Sequence, residues 1–389
     1  MRGTAERIGR EDDPPGGRRT RPVLVADAGA LVRAADARAS PAGDDGTVSS
    51  AHVVVDRPGT YAYHRLQRTR PGTCWWRPLV VGVVALALYV VLLAVGGVLV
   101  LVAAVASGPG GTDTLAALDV ADFTDPLAFA LGMLTIIAMM PAVLVATWLL
   151  GARPVGLLVS VAGRVRWGWT ARCLGVAAGL ALLLNGGDAV LAALRGQAWE
   201  PQVTATSWLL VALVVLLVPA QCVAEEVVFR GYLVQSVGTW LRHPAFAILL
   251  PVPLFVLGHT YVNLAMVDTA VWATAMGWLV WRTGGLEAAA AAHVVNNVTV
   301  FTLGAVGLAD LDLVDIGPVS LAVSTASTLA YVALVEVLVR RTGLPTVRVV
   351  RGASPAAAPG AVGAAVGVLP APAPPSGSGP VTAATSPRP

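Results

Sequence analysis

Two adjacent glutamates, Glu225 and Glu226, and an arginine, Arg230, stand inside an apolar run that begins near Trp208. Charges at that depth are expensive, about 2.5 to 3.5 kcal/mol each at a helix centre on insertion scales. On a helix, Glu226 and Arg230 are four residues apart on one face and neutralise each other as an ion pair. Glu225 is rotated away by about 100° and is the carboxylate left free to react. Two further polar positions follow on later apolar stretches: His259 stands four residues after Phe255, and Asn297 four after His293, so each stretch offers one functional face. A carboxylate and an imidazole around one water can remove its proton as it attacks a carbonyl, which makes Glu225 with His259 the expected base pair. The tetrahedral intermediate then needs donors for its oxyanion, and the Asn297 amide with His293 can supply them. Together these residues describe a hydrolase working inside a membrane, with Glu226, Arg230 and Phe255 in holding and packing roles.

Residues at such depth need membrane helices to carry them, and the composition provides these. The chain has 389 residues, 56% hydrophobic and 13% charged, with a mean hydropathy of +0.72. It reads as an all-α polytopic membrane protein. About 20 apolar residues span a bilayer, and eight spans are expected: Leu79 to Ala106, Leu127 to Leu150, Cys173 to Leu194, Trp208 to about Gln235, Ala245 to about Val262, Ala265 to Trp281, Leu286 to Val306 and Val319 to Val339. Arginine in the alternate loops faces acid in the others, which places both termini in the cytoplasm and the protein in the cell membrane. Glu225, His259 and His293 then share a layer roughly 14 to 22 Å from the inner surface. The stretch Pro154 to Trp169 is expected to lie amphipathically on that surface. Residues 1–77 and 342–389, rich in Arg, Asp, Gly, Pro and Ala, are expected to be disordered tails around a helical domain over 78–341.

The three pieces EEVVFR at Glu225 to Arg230, FVLGH at Phe255 to His259 and HVVNN at His293 to Asn297 resemble the EExxxR, FxxxH and HxxxN motifs of the CAAX prenyl protease and bacteriocin-processing (CPBP, or Abi) family of intramembrane proteases. The lead-in RTGGLEAAAAAH from Arg282 is similar to that family's approach to its third motif. The resemblance covers about 208–306. It implies an endopeptidase acting on peptides or membrane-associated proteins, with Glu225, His259, His293 and Asn297 in the active site. The family has also been described as metalloproteases, and Glu225, His259 and His293 form a two-histidine, one-carboxylate set able to hold zinc. HExxH, the zinc motif of other membrane proteases, does not occur. The preferred reading needs no cofactor.

Other polar residues carry plainer readings. Glu336 and Arg340 form a stabilising i, i+4 pair, and Glu287 faces the inner interface. Asp188 follows NGG rather than GxG and lacks a second aspartate, which excludes an aspartyl protease. His52, His64 and His243 are expected to be solvated. Cys74, Cys173 and Cys222 have no CxxC spacing and read as packing residues. The arginines sit beside apolar helices and set topology, so nucleic acid is not an expected partner; the bilayer is. Two other classes remain open: a non-catalytic scaffold or bacteriocin-immunity-type factor, and a proton-coupled transporter using Glu225 and the histidines as a relay. Interrupted helices in matching halves, which a transporter of that kind would carry, are not detectable.

Overall fold

A computed structural model describes residues 57–351, apart from 71, 120–121, 152–153, 198–199 and 312–313. The chain runs β1 (Gly59–Ala62), a 3-10 turn (Tyr63–Thr69), α1 (Arg77–Ala106), α2 (Pro109–Ala117), α3 (Pro126–Ile137), α4 (Met139–Leu150), α5 (Trp167–Leu194), α6 (Ala205–Glu225), a π-helical segment (Glu226–Leu233), α7 (Val234–Trp240), α8 (Pro244–Leu249), α9 (Val252–Leu257), α10 (Asn263–Thr283), α11 (Glu287–Ala305), α12 (Pro318–Thr342) and β2 (Val347–Val350). Among the described residues seven helices, counting α3 with α4 and α6 through α7 as one each, are long and apolar enough to cross a membrane. The protein is a multi-pass integral membrane protein, and lipid-facing side chains such as Val83, Leu86 and Leu182 are exposed along the outer helices.

The fifth expected span differs. In place of one helix over Ala245 to Val262 the chain makes α8 and α9, six residues each, ending at Gly258. Pro251 withholds its N–H and breaks the first helix, and Pro253 fits the opening turn of the second. Together the two are shorter than a membrane-spanning helix. β1 pairs antiparallel with β2, from Gly59 with Val350 to Ala62 with Val347, so the flanks of the bundle meet at one end. The same end gathers the Arg166–Glu287 ion pair and the bridge between Ser160 and Gly285. The opposite end joins Gln202 to Val306 and Val262 to Val314 through backbone hydrogen bonds of 2.9 Å each. Helix α9 therefore stops part-way through the layer, and His259 is carried at its tip.

The flanks correct the expected domain boundaries. Residues 1–56 and 352–389 lie outside the described residues, but 57–70 and 343–351 are part of the fold. Tyr63 and Leu66 are fully buried in the main core, where burying Leu66 alone is worth about 1.5 to 3 kcal/mol. Arg65 and Arg68 donate to the carbonyls of Gly238 and Thr239, the open C-terminal groups of α7. The backbone here comes so close that a Cβ on Gly238 would collide with the His64 carbonyl. His64 is buried, not solvated: Nε2 lies 3.0 Å from the Arg242 carbonyl, and burial holds its imidazole below the ordinary range. Composition read each flank alone, whereas these contacts join residues far apart in the chain. Similarly, Pro154 to Trp169 is not a surface helix. It is a short turn with Leu157, Leu158 and Val161 buried under the bundle, leading into α5 at Trp167.

Candidate active site

Helix α6 opens with Thr204 and Ser207 in a capping box. It carries Pro219, which cannot donate to the carbonyl four residues earlier, and seven residues later it widens into the π-helical segment. Such segments are rare and concentrate at functional sites. Here the segment begins at Glu226, so the two glutamates sit astride the change of pitch.

Both glutamates reach the same histidine. His293 Nδ1 lies 2.9 Å from Glu226 Oε1, and His293 Nε2 lies 3.4 Å from Glu225 Oε2. Glu226 Oε1 also accepts from Arg230 NH1 at 3.0 Å, the expected i, i+4 pair. Glu226, Arg230 and His293 are all nearly or wholly buried, and Glu225 is only 8% exposed. Satisfaction is incomplete: Glu225 Oε2, Glu226 Oε2 and Arg230 NH2 are buried with no hydrogen-bond partner among the described residues. Phe255 packs as expected, its ring 4.0 Å beneath the Arg230 guanidinium carbon and its centroid 4.7 Å from that of His259. That cation-π contact offsets part of the cost of a buried arginine.

The expected pairing of Glu225 with His259 is not made. His259 Nδ1 lies 2.8 Å from the Phe255 carbonyl, and its ring stacks on Tyr261. A carbonyl only accepts, so Nδ1 carries the proton and Nε2 the lone pair. Nor does His293 join Asn297 as one donor pair, because both His293 nitrogens face carboxylates. Asn297 is held instead by Gln221, with Nδ2 3.5 Å from its Oε1.

Two residues of the site were not singled out from the sequence. Gln221 stands one turn before Glu225 on α6, and the i, i+4 rule applied backwards from Glu225 would have found it. Trp272 of α10 sets its ring edge-on to His293 with centroids 4.8 Å apart, and also 5.2 Å from the Arg230 guanidinium carbon. A tryptophan in an apolar helix gives no signal of such a role. Elsewhere, Glu287 does not face the interface freely, because Arg166 grips it through Nε at 2.8 Å and NH2 at 2.6 Å. Glu336 pairs with Arg340 and also with Arg282, each at 2.8 Å. Asp188 is exposed on α5, away from these groups.

A zinc ion on Glu225, His259 and His293 would need the three donors to converge. Among the described residues no group of three His, Cys, Asp or Glu side chains is placed to share an ion, and both His293 nitrogens are already turned to carboxylates. As arranged, the donors do not make a zinc site.

Comparison with known proteins bears on the same stretch. Residues 206–299 match the family model of type II CAAX prenyl endopeptidase Rce1-like proteins. The chain is also 39% identical over 100 residues to the uncharacterized protein YyaK of Bacillus subtilis (strain 168), a match covering 23% of this chain and 32% of that protein. The chain thus spans about a third of the curated relative it matches. No solved structure matches. The matched residues run from the start of α6 to within α11 and hold all three motifs, so the likeness to type II CAAX prenyl endopeptidases rests on the segment that carries the candidate site, within a multi-pass membrane protein.

Proposed function

We propose that this protein is an intramembrane endopeptidase that hydrolyses peptide bonds in peptides or membrane-associated proteins, with Glu225 as the base. The observation that carries this reading is Glu225 Oε2, a buried carboxylate oxygen left without a hydrogen bond 3.4 Å from His293 Nε2, inside the Rce1-like match. Glu225 takes a proton from water as the water oxygen bonds to the peptide carbon. His293, oriented through Nδ1 by Glu226, stands beside Glu225 so that this proton can pass to the departing amine as the C–N bond breaks. Asn297 has one amide proton directed to Gln221 and the other free for the carbonyl oxygen as it gains charge. His259, with its Nε2 lone pair, is a second group able to hold the water. Glu226, Arg230, Phe255, Gln221 and Trp272 position these groups. None of these steps needs a cofactor.

The test is cleavage of a quenched peptide library by the reconstituted protein and its Glu225→Gln variant, each with and without a strong chelator. Cleavage by wild type that is lost in the variant and persists with chelator supports the reading. Cleavage equal in both proteins removes Glu225 from the chemistry, and loss on chelation alone replaces the metal-free mechanism with a metal-dependent one.

A further inference from the structure

A second polar constellation lies deep in the membrane beside the candidate active site. The face of α11 bearing Asn296 and Thr299, together with α5, α10 and α12, lines a partly open cleft of about 260 Å³, in which Asn296 is exposed and which reaches Ala309 beyond the end of α11. Its polar lining is Asn185, Asn296, Thr299, Ser324, Ser327 and Thr328. By the helical rise, Asn296 and Thr328 lie roughly 14 and 21 Å from the ends of their helices nearest β1 and β2.

The hydrogen bonding of this lining is incomplete in a directed way. Asn185 Nδ2 donates to the Ala181 carbonyl at 2.8 Å, and Ser324 Oγ to Asp268 Oδ2 at 2.9 Å. The hydroxyls of Thr299, Ser327 and Thr328 have no partner among the described residues, although Thr328 is only 8% exposed. An unpaired hydroxyl withheld from water costs about 1 to 3 kcal/mol. A hydrocarbon chain in the cleft would leave all three unpaired, whereas water would satisfy them, and one water needs only about 10 to 15 Å³ of such space with two to four polar partners. The cleft is also joined to the candidate site: Asn296 Nδ2 donates to Asn297 Oδ1 at 3.1 Å, and Trp272 lines the cleft while its ring abuts His293.

We propose that this cleft is hydrated within the membrane, binding a cluster of waters on Asn185, Asn296, Thr299, Ser327 and Thr328, and that it leads water to the hydrolytic site through the Asn296–Asn297 link. The supply role rests on the peptidase reading; the hydration does not. A polar cleft running from the loop after α11 to the level of Asn296 gives water a path along the helices to a site set among apolar side chains, which hydrolysis inside hydrocarbon requires.

X-ray radiolysis of the full chain in nanodiscs, with hydroxyl-radical labelling read by mass spectrometry, tests the hydration without any substrate. Trp272 lines the cleft and is half-buried, whereas Trp169, 3% exposed, packs in the main core. Oxidation of Trp272 at least tenfold faster than Trp169 is expected, and equal slow oxidation of the two would overturn the proposal, as a dry or lipid-filled cleft would give. Ser327→Leu should fill the space and cut Trp272 labelling at least fivefold, with Ser327→Val as the milder variant if the first does not fold. In the cleavage assay the filled variant should lose about tenfold in kcat with KM unchanged. Unchanged kcat with lost labelling would overturn the supply role, while a wild type that cleaves nothing would remove the peptidase reading and leave the labelling result to decide hydration.

Discussion

Two buried clusters in this molecule are each built around an arginine–glutamate pair and have opposite completeness. At the end of the bundle that carries β1 and β2, Arg166 meets Glu287 with Nε and NH2, its backbone N–H adds a third bond to the same carboxylate at 3.1 Å, and NH1 is taken up by the carbonyls of Thr283 and Pro345. Space there is fully used: a Cβ on Gly285 would strike Glu287, Arg166 and Ser160 together. In mid-membrane, Glu225, Glu226, Arg230 and His293 are as deeply buried, yet three of their polar atoms are left without a hydrogen bond among the described residues. A buried charge without full hydrogen bonding is costly, so the saturated cluster reads as a fastening and the unsaturated one as a place kept open for chemistry. Each holds an arginine–glutamate pair, and the mid-membrane one adds a second glutamate and a histidine that the available donors do not saturate.

Breaking the fastening should give the largest effect on stability. Arg166→Ala leaves Glu287 buried and unpaired, and a loss of about 3 to 5 kcal/mol is expected, read as a fall in the detergent unfolding midpoint with turnover per folded molecule retained. A stability change within about 0.5 kcal/mol would erase the contrast between the clusters. Next in size is Gln221→Leu, which frees the Asn297 amide. If that amide steadies the oxyanion, kcat should fall by about tenfold to a hundredfold with KM little changed, at or below the cost of removing an oxyanion donor itself.

Smaller effects sharpen the comparison. Trp272→Leu removes one of two aromatic faces from Arg230 and the ring edge from His293; a cost of about 1 kcal/mol, or about fivefold in kcat/KM, is expected. Phe229→Leu, on the far side of Phe255, should do less. The smallest effect is one of pH at the N-terminal flank. Burial, with the nearby charges of Arg65 and His243, lowers the His64 pKa from 6.5. The unfolded flank therefore binds more protons than the docked one, so docking is favoured above about pH 6.5 and weakens as pH falls toward the depressed value. Hydrogen exchange over 57–69 should speed up between pH 7.5 and 5.5, and His64→Gln should flatten that dependence.

Much of this arrangement is legible in the sequence because membranes penalise polar groups so heavily. Glu225, Glu226, Arg230, His259, His293 and Asn297 stand out against apolar surroundings, and seven of the eight expected spans coincide with membrane-length helices. What escapes is whatever depends on distant partners. The Glu226–Arg230 spacing signals an ion pair but not the π-helical widening that lets both carboxylates reach His293. The run GTYA gives no hint of its pairing with VRVV, nearly 300 residues on, and His64 sits in a polar stretch whose burial comes from α7. The broken helix pair is half legible: Pro251 and Pro253 are visible, but stopping α9 at Gly258 so that His259 stands at its tip is a property of the packed bundle.

The most direct test sets the two clusters side by side, by measuring peptide cleavage and unfolding midpoint for Glu225→Gln and Glu287→Gln in the same reconstituted preparation. Glu225→Gln should lose cleavage by about a hundredfold or more while its midpoint stays near that of wild type. Glu287→Gln should lower the midpoint clearly and keep its turnover per folded molecule. A Glu225→Gln protein that unfolds early and still cleaves would show that the mid-membrane cluster is the fastening, and the account would be wrong.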